Sequence, residues 1–501
     1  MNEKQLTTDL RKQYCEPEQW KKWGTVFLFL AAFLYLLIKL FTLGSMITMS
    51  GDAADIWQTI TSFYAEEIYP SYVLYKGFAA VYPYVWLYQL ALALNLNEFF
   101  FVMVYHGLLF AYITVIGVPA LVKELTGYET RIWQKAALVI LFYWYWSRYY
   151  ALSQIMVDLP SCAFFLLSMQ CAAVISRSSG YKCYGLILAT GLLCGLCANI
   201  SGQYSVAALF VMVYAAVQLW TIRPSSERKK NLSRFLVSFV LLFGAMSSVK
   251  LLNQQFYASV IQPMTDAGHS IAPAEFWMHR GLVYFLDIGR QLYGPNLYDD
   301  RGHQIIMGLY GVDEGTHLRE LAAMGGYGWR IPDYFRAFFQ YPIDFIMLYL
   351  NRLMIMISDD CGNSSLRSLL PGYTMIYLTI LTALKRVSCL RDIFHAKTLL
   401  VLACFASVLP TVVMVVEMRF TLSLQAMLFG VALAGPIIPQ IATFVSGGVR
   451  RMLQGEKSGT LLDAGIPWAF LGWIVFCAVC LAYFGAICAS SDMGTNLLYH
   501  W

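Results

Sequence analysis

The chain has 501 residues, of which 58% are apolar and only 13% charged, against about 25% charged in an ordinary soluble domain. That balance leaves no room for a conventional polar surface and excludes a cytosolic enzyme, a nucleic-acid-binding protein and a disordered chain. The net charge of +5 gains meaning only when its charges are assigned to the two sides of a membrane.

Residues 1–24 form a polar arm with Lys4, Arg11, Lys12, Lys21 and Lys22. This arm precedes the first apolar run, so an uncleaved anchor is expected rather than a cleavable signal peptide. A bilayer core about 30 Å thick asks for roughly 20 apolar residues per helix. Candidate spans lie at 25–48, 99–122, 132–147, 158–176, 184–199, 204–221, 234–252, 370–385, 397–416, 420–440 and 466–488. The expected fold class is therefore an all-α polytopic membrane protein with about eleven transmembrane helices.

Lys and Arg in short loops set the sides. The N-terminal arm and the stretch Arg223, Arg228, Lys229, Lys230, Arg234 read as cytoplasmic. So do the loops 385–397 (Lys385, Arg386, Arg391, Lys397) and 441–465 (Arg450, Arg451, Lys457). Segment 343–357 decides the parity. It carries Asp344, Asn351 and Ser358 at a spacing of seven, one polar stripe on a helix. It is read as an interfacial helix, which keeps loop 385–397 inside. The N-terminus is then cytoplasmic, the C-terminus outside, and a bacterial plasma membrane is the expected location.

The resulting domains are the cytoplasmic arm 1–24, an N-terminal membrane module 25–252, an outer loop 253–369, C-terminal helices 370–488 and an outer tail 489–501. The module contains a first outer loop, 49–98, expected to break into short helical pieces at Tyr69-Pro70 and Tyr82-Pro83. The second outer loop is rich in Tyr, Gly, Asp and Arg, and long loops in compact proteins are usually functional. Neither an internal repeat nor a pair of symmetric broken helices is visible, which speaks against a typical secondary transporter. Among the 12 cysteines, Cys194 and Cys197 form a CxxC inside a Gly-rich apolar helix and read as packing residues. No zinc pattern and no Walker motif is present, and His279 and His303 stand at no ligand spacing.

With sides assigned, polar residues converge on the outer face. Asp52 and Asp55, three apart in Ser-Gly-Asp-Ala-Ala-Asp, share a helical face. Arg148 and Asp158 bracket the turn between the third and fourth spans. Asn199, Ser201 and Gln203 occupy the next outer turn, Glu417 and Arg419 a later one, and Lys39 sits near the outer end of the first span. Each has a plainer reading. Asp52 caps a helix, and Asp55 answers the dipole. Arg148 and Lys39 snorkel to headgroups. Glu417 and Arg419 pair at the membrane edge. His106, in the second span, reads as a hydrogen-bonded core residue.

The ordered set resembles the GT-C superfamily of integral-membrane glycosyltransferases. The layout is most similar to the protein O-mannosyltransferases and the lipid A aminoarabinose transferases. Asp52 takes the family's acidic position after the first span, with Asp55 as companion. Ser147-Arg148-Tyr149-Tyr150 and Asp158-Leu159-Pro160 are similar to the arginine and acidic stretch around the third and fourth spans. Glu417-Met418-Arg419-Phe420 looks like a late Glu-x-Arg-Tyr segment with Phe for Tyr. Two departures stand out: the acidic pair is Asp-x-x-Asp rather than adjacent, and the turn 198–203 has no Arg.

The resemblance implies transfer of a sugar from a polyprenyl- or dolichyl-phosphate donor to a glycan, lipid or protein acceptor at the outer face. Membrane lipid surrounds the enzyme, and no nucleic acid is involved. Asp52 or Asp55 serves as general base or orients the nucleophile. Arg148, Arg419 and Lys39 hold the donor phosphate, while Asp158, Glu417, Asn199, Trp277 and Tyr293 orient sugar or acceptor. No metal ligand and no required cofactor is assigned. The mannosyltransferase-like branch generally needs no metal, whereas the oligosaccharyltransferase branch uses a divalent ion, so that choice stays open. Two alternatives compete: a polysaccharide polymerase or ligase acting on lipid-linked glycans, which needs no early acidic pair, and a lipid or sugar flippase, which predicts several deep charges.

Overall fold

The structure, a computed structural model, describes residues 18–43, 52–64, 77–147, 152–221, 228–256, 331–343, 366–386, 395–413, 418–435 and 466–489, with isolated helical positions between 258 and 262, between 345 and 354, and at 438. The described residues are helical throughout apart from turns and short links. In chain order the helices are α1 (Glu18–Leu43), α2 (Asp52–Tyr64), α3 (Phe78–Ala93), α4 (Phe100–Thr126), α5 (Ile132–Trp146), α6 (Asp158–Val174), α7 (Gly180–Ile200) and α8 (Tyr204–Thr221). There follow α9 (Arg228–Phe256), α10 (Ile331–Gln340), α11 (Leu366–Arg386), α12 (Thr398–Ala406), α13 (Leu409–Val413), a 3-10 turn Met418–Thr421, α14 (Leu422–Ala434) and α15 (Ile466–Ala489).

Every expected span overlaps helix among the described residues, 397–416 two short ones, α12 and α13, and the first helix begins at 18 rather than 25. Among the described residues, six helices are long and apolar enough to cross a membrane: α1, α4, α6, α7, α9 and α15. The rest carry shorter apolar stretches. The 15 residues of α5 span about 22 Å at 1.5 Å per residue, less than a hydrocarbon core. Helix length alone therefore does not carry a count of eleven crossings, and the apolar α3, of similar length, lies inside the expected outer loop.

One expectation is corrected here. Pro83 does not break its segment: α3 runs unbroken from Phe78 to Ala93 with Pro83 inside it. A proline costs one helical hydrogen bond and crowds the carbonyl four residues back. Burial of Tyr84, Val85 and Ala91 against the rest of the bundle offsets that cost. Two other prolines do leave marks. Pro119 cannot donate to the carbonyl of Val115, and just before it α4 widens into a π-helical turn over Tyr112–Gly117. Pro410 stands at the break between α12 and α13.

Burial ranks the helices. Of the apolar windows in α4 and α6, 61% and 67% are buried, against 17%, 22% and 11% in α1, α9 and α15. So α4 and α6 are central, while Trp23, Phe27, Val240 and Val475 on the outer helices face outward, as lipid-facing side chains do. Small residues let the helices close. Gly191 and Gly195 of α7 lie against α9, where a Cβ on Gly191 would strike the Leu242 carbonyl, and one on Gly195 would come within 2.9 Å of Val249. That is the small-xxx-small packing of membrane helices. Cys194 and Cys197 share this helix and are buried free thiols.

Candidate functional site

Cross-helix contacts sort the chain into two ends. At one end Lys21 of α1 reaches Glu129 at 3.2 Å, Lys135 donates to Thr25 at 2.9 Å, and Gln134 donates to the Leu433 carbonyl at 2.6 Å. Arg177 pairs with Glu124, and Lys397 donates to the Glu124 carbonyl. At the other end lie Gly77, Met156, Asp158, Asn199, Gln203, Asn253 and the 3-10 turn. Among α1, α4 to α8, α12 and α14 the chain thus runs back and forth between these two ends.

Asp158 opens α6 and is 1% exposed. A carboxylate in a first helical turn is favoured by the helix dipole. It lies within electrostatic reach of Tyr204, the buried first residue of α8, whose ring packs against Phe165 of α6 at 5.1 Å; Ser423, two residues beyond the turn that carries Arg419, lies close by. Gln203 donates to the Phe420 carbonyl of that turn at 3.5 Å. The head of α6, the head of α8 and the 3-10 turn therefore meet around buried Tyr204.

Asn199 is engaged differently. Its backbone carbonyl accepts the Gly77 N–H at 3.2 Å and its side-chain oxygen the Ala79 N–H at 2.9 Å. The Asn253 side chain accepts the Phe78 N–H at 3.1 Å. The orphan donors at the head of α3 are thus satisfied from two other helices. Nothing in the local sequence signals Asn253; only the folded geometry brings it in.

Lys39 is half-buried on α1, its ammonium 6.0 Å from the Tyr35 ring. Tyr35 packs edge-on against Tyr143 at 4.9 Å, which sets Lys39 beside the last turns of α5. Asp52 and Asp55 stand in the first turn of α2, though their side chains, like that of Arg419, lie outside the described atoms. Helix α2 packs on α3 through Trp57, whose ring meets Tyr88 at 5.2 Å and Phe99 at 4.5 Å. That contact is at the end of α3 away from Asn199. Arg148, Glu417, Trp277 and Tyr293 lie outside the described residues. So Asp158, Gln203 and the Arg419 turn come together, while Lys39 and the Asp52–Asp55 turn attach through other helices.

His106 is fully buried, its Nε2 3.1 Å from the Tyr84 hydroxyl, and Tyr84 also donates to the Met156 carbonyl at 3.2 Å. This is a core network, in keeping with the sequence reading. Among the described residues no group of three His, Cys, Asp or Glu side chains stands at metal-binding distance. At the opposite end, hydrogen bonds from Lys123 and then Lys21 hold the Glu129 carboxyl below the ordinary glutamate range. Comparison with models of protein families, with curated proteins and with solved structures gives no match.

Proposed function

We propose that this protein is an integral-membrane glycosyltransferase that moves a sugar from a polyprenyl-phosphate donor to an acceptor at the outer membrane face. The observation that carries the reading is the meeting of buried Asp158, Gln203 and the Arg419 turn around Tyr204, at the end opposite the basic cluster. In this reading about eleven helices cross a bacterial plasma membrane in a GT-C-like layout, with the N-terminus in the cytoplasm. The lipid tail lies among the apolar helices, and the sugar phosphate sits at their outer ends.

The leaving phosphate gathers negative charge as the glycosidic bond breaks, and arginine binds phosphate in bidentate fashion. Arg419 and Arg148 take that role, with Lys39 as a third cation. Asp52 or Asp55 removes or directs the acceptor proton, and Asp158 orients a sugar hydroxyl. The acceptor is a glycan, a lipid or a protein.

The test is an assay of membranes holding the wild type or Asp52→Asn, Asp55→Asn, Asp158→Asn or Arg419→Ala. Sugar released from a polyprenyl-phosphate donor and bound to acceptor is measured. Loss of transfer by about a hundredfold on removing a general base, in the Asp52 or Asp55 variant, supports the reading. Wild-type rates in all four overturn the site. A wild type inert toward every such donor overturns the class.

A further inference from the structure

The basic end of the bundle holds a cavity that the transferase reading does not use. Its volume is about 350 Å³, and it opens between the ends of α4, α6, α8 and α12. Lys123, Arg177, Lys397 and His395 line it, with Glu124 as the acidic member. Tyr214 and Gln218 of α8 add polar groups on another wall.

The charge balance favours an anion. Lys123, Arg177 and Lys397, with Lys21 behind Lys123, bring four permanent cations against two carboxylates, Glu124 and Glu129. Three helices end here C-terminus first, each worth about half a negative charge, and α12 begins here with about half a positive one. The lining stays positive after all four are counted. Part of the cationic lining is organised in advance: Glu124 holds Arg177 through its carboxylate and Lys397 through its backbone carbonyl. Those two cations stand just past the end of α6 and just before the start of α12, so a single acidic residue on α4 joins both walls.

The volume matters as much as the charge. A plain ion pair between helix ends would close on itself, whereas a phosphate group with part of its ester fits into this space. Basic pockets between membrane helices, on the side facing an anionic leaflet, hold phosphate headgroups. We infer that the cavity lined by Lys123, Arg177, His395 and Lys397 binds a phosphate group with two negative charges, either a phosphomonoester lipid headgroup or a soluble diphosphate. The inference stands apart from the proposed transferase activity, since it rests on the opposite end of the molecule.

The test uses the full chain in phosphatidylcholine nanodiscs. One arm adds phosphatidic acid to the bilayer; the other adds pyrophosphate to the solution. Binding is read by native mass spectrometry and by the phosphorus resonance of each probe. Retention of phosphatidic acid alone identifies a headgroup site, and binding of pyrophosphate a soluble-ligand site; either supports the inference. Each lining cation is worth about fivefold in affinity, so Lys123→Gln with Arg177→Gln weakens binding by more than tenfold. Glu124→Gln raises it, because the surplus charge grows while the substituted amide oxygen still accepts a hydrogen bond from Arg177; a fall in affinity in that variant counts against the proposal. Should the double variant fail to fold, Glu124→Gln still decides. Binding of neither probe, or affinity unchanged in both variants, overturns the proposal.

Discussion

Asn199 and Gly77 are joined backbone to backbone, and the Asn199 side chain caps the residue two places beyond Gly77. The Asn199 carbonyl takes the Gly77 N–H at 3.2 Å while its amide oxygen caps Ala79 at 2.9 Å. A Cβ on residue 77 would collide with the Asn199 side chain. Two variants follow. Asn199→Ala removes a side-chain cap and costs about 1 kcal/mol. Gly77→Ala pushes the capping side chain out of place and costs at least as much. Thermal melting in detergent measures both. Additive losses in the double variant would show that the contact does not couple them, since touching residues ordinarily deviate from additivity.

The apolar runs marked the helices because a bilayer demands continuous hydrophobicity. Pro83 misled because proline is a local signal, whereas its toleration depends on what Tyr84 and Val85 bury. At the candidate site, Asp158 was visible as a charge in an apolar chain. Its neighbours were not: Tyr204 and Ser423 are ordinary helix residues until α6, α8 and α14 meet. The basic cavity escaped for a different reason. In the sequence Lys397 reads only as one charge of a basic loop, and nothing in one dimension shows that it faces Glu124 and Arg177.

The α7–α9 contact predicts a sharp size limit. Gly191 meets a backbone carbonyl, which cannot move away as a side chain can, and the Ala245 Cβ would lie 2.8 Å from a new Cβ. Gly191→Leu therefore forces the helices apart and costs about 1–3 kcal/mol or more. Gly185, on the same helix, has open space around it. Gly185→Leu should leave the melting temperature nearly unchanged. Equal losses at 185 and 191 would contradict close packing at Gly191.

Glu129 predicts an acid-side loss of stability. Its carboxyl is held low by Lys123 and Lys21, so the folded state binds its proton more weakly than the unfolded state. The stabilisation is present above the ordinary glutamate range and disappears as pH falls through the lowered value. Both pairs are about half exposed, so the effect is limited to about 0.2–1 kcal/mol per pair. Melting of wild type and Glu129→Gln should differ at neutral pH and converge in acid. High salt should shrink the neutral-pH difference.

Gln425 carries the last prediction. Its side-chain oxygen accepts the Trp146 indole N–H at 3.1 Å, joining α14 to α5. Both residues are buried. In water-soluble proteins an unsatisfied buried donor costs about 1–3 kcal/mol. Within a membrane the unfolded helices also find partners, and measured interhelical bonds average about 0.6 kcal/mol. The membrane value governs here, because Gln425 and Trp146 are buried between apolar helices. Gln425→Leu should therefore cost well under 2 kcal/mol, the upper end of the membrane measurements, and leave the chain folded. It also frees the head of α14, one turn beyond the Arg419-bearing segment, from its anchor on α5. If that segment holds the donor phosphate, Gln425→Leu raises KM for the polyprenyl donor more than it lowers kcat. An unchanged KM beside the expected small loss of stability would separate the hydrogen bond from the site.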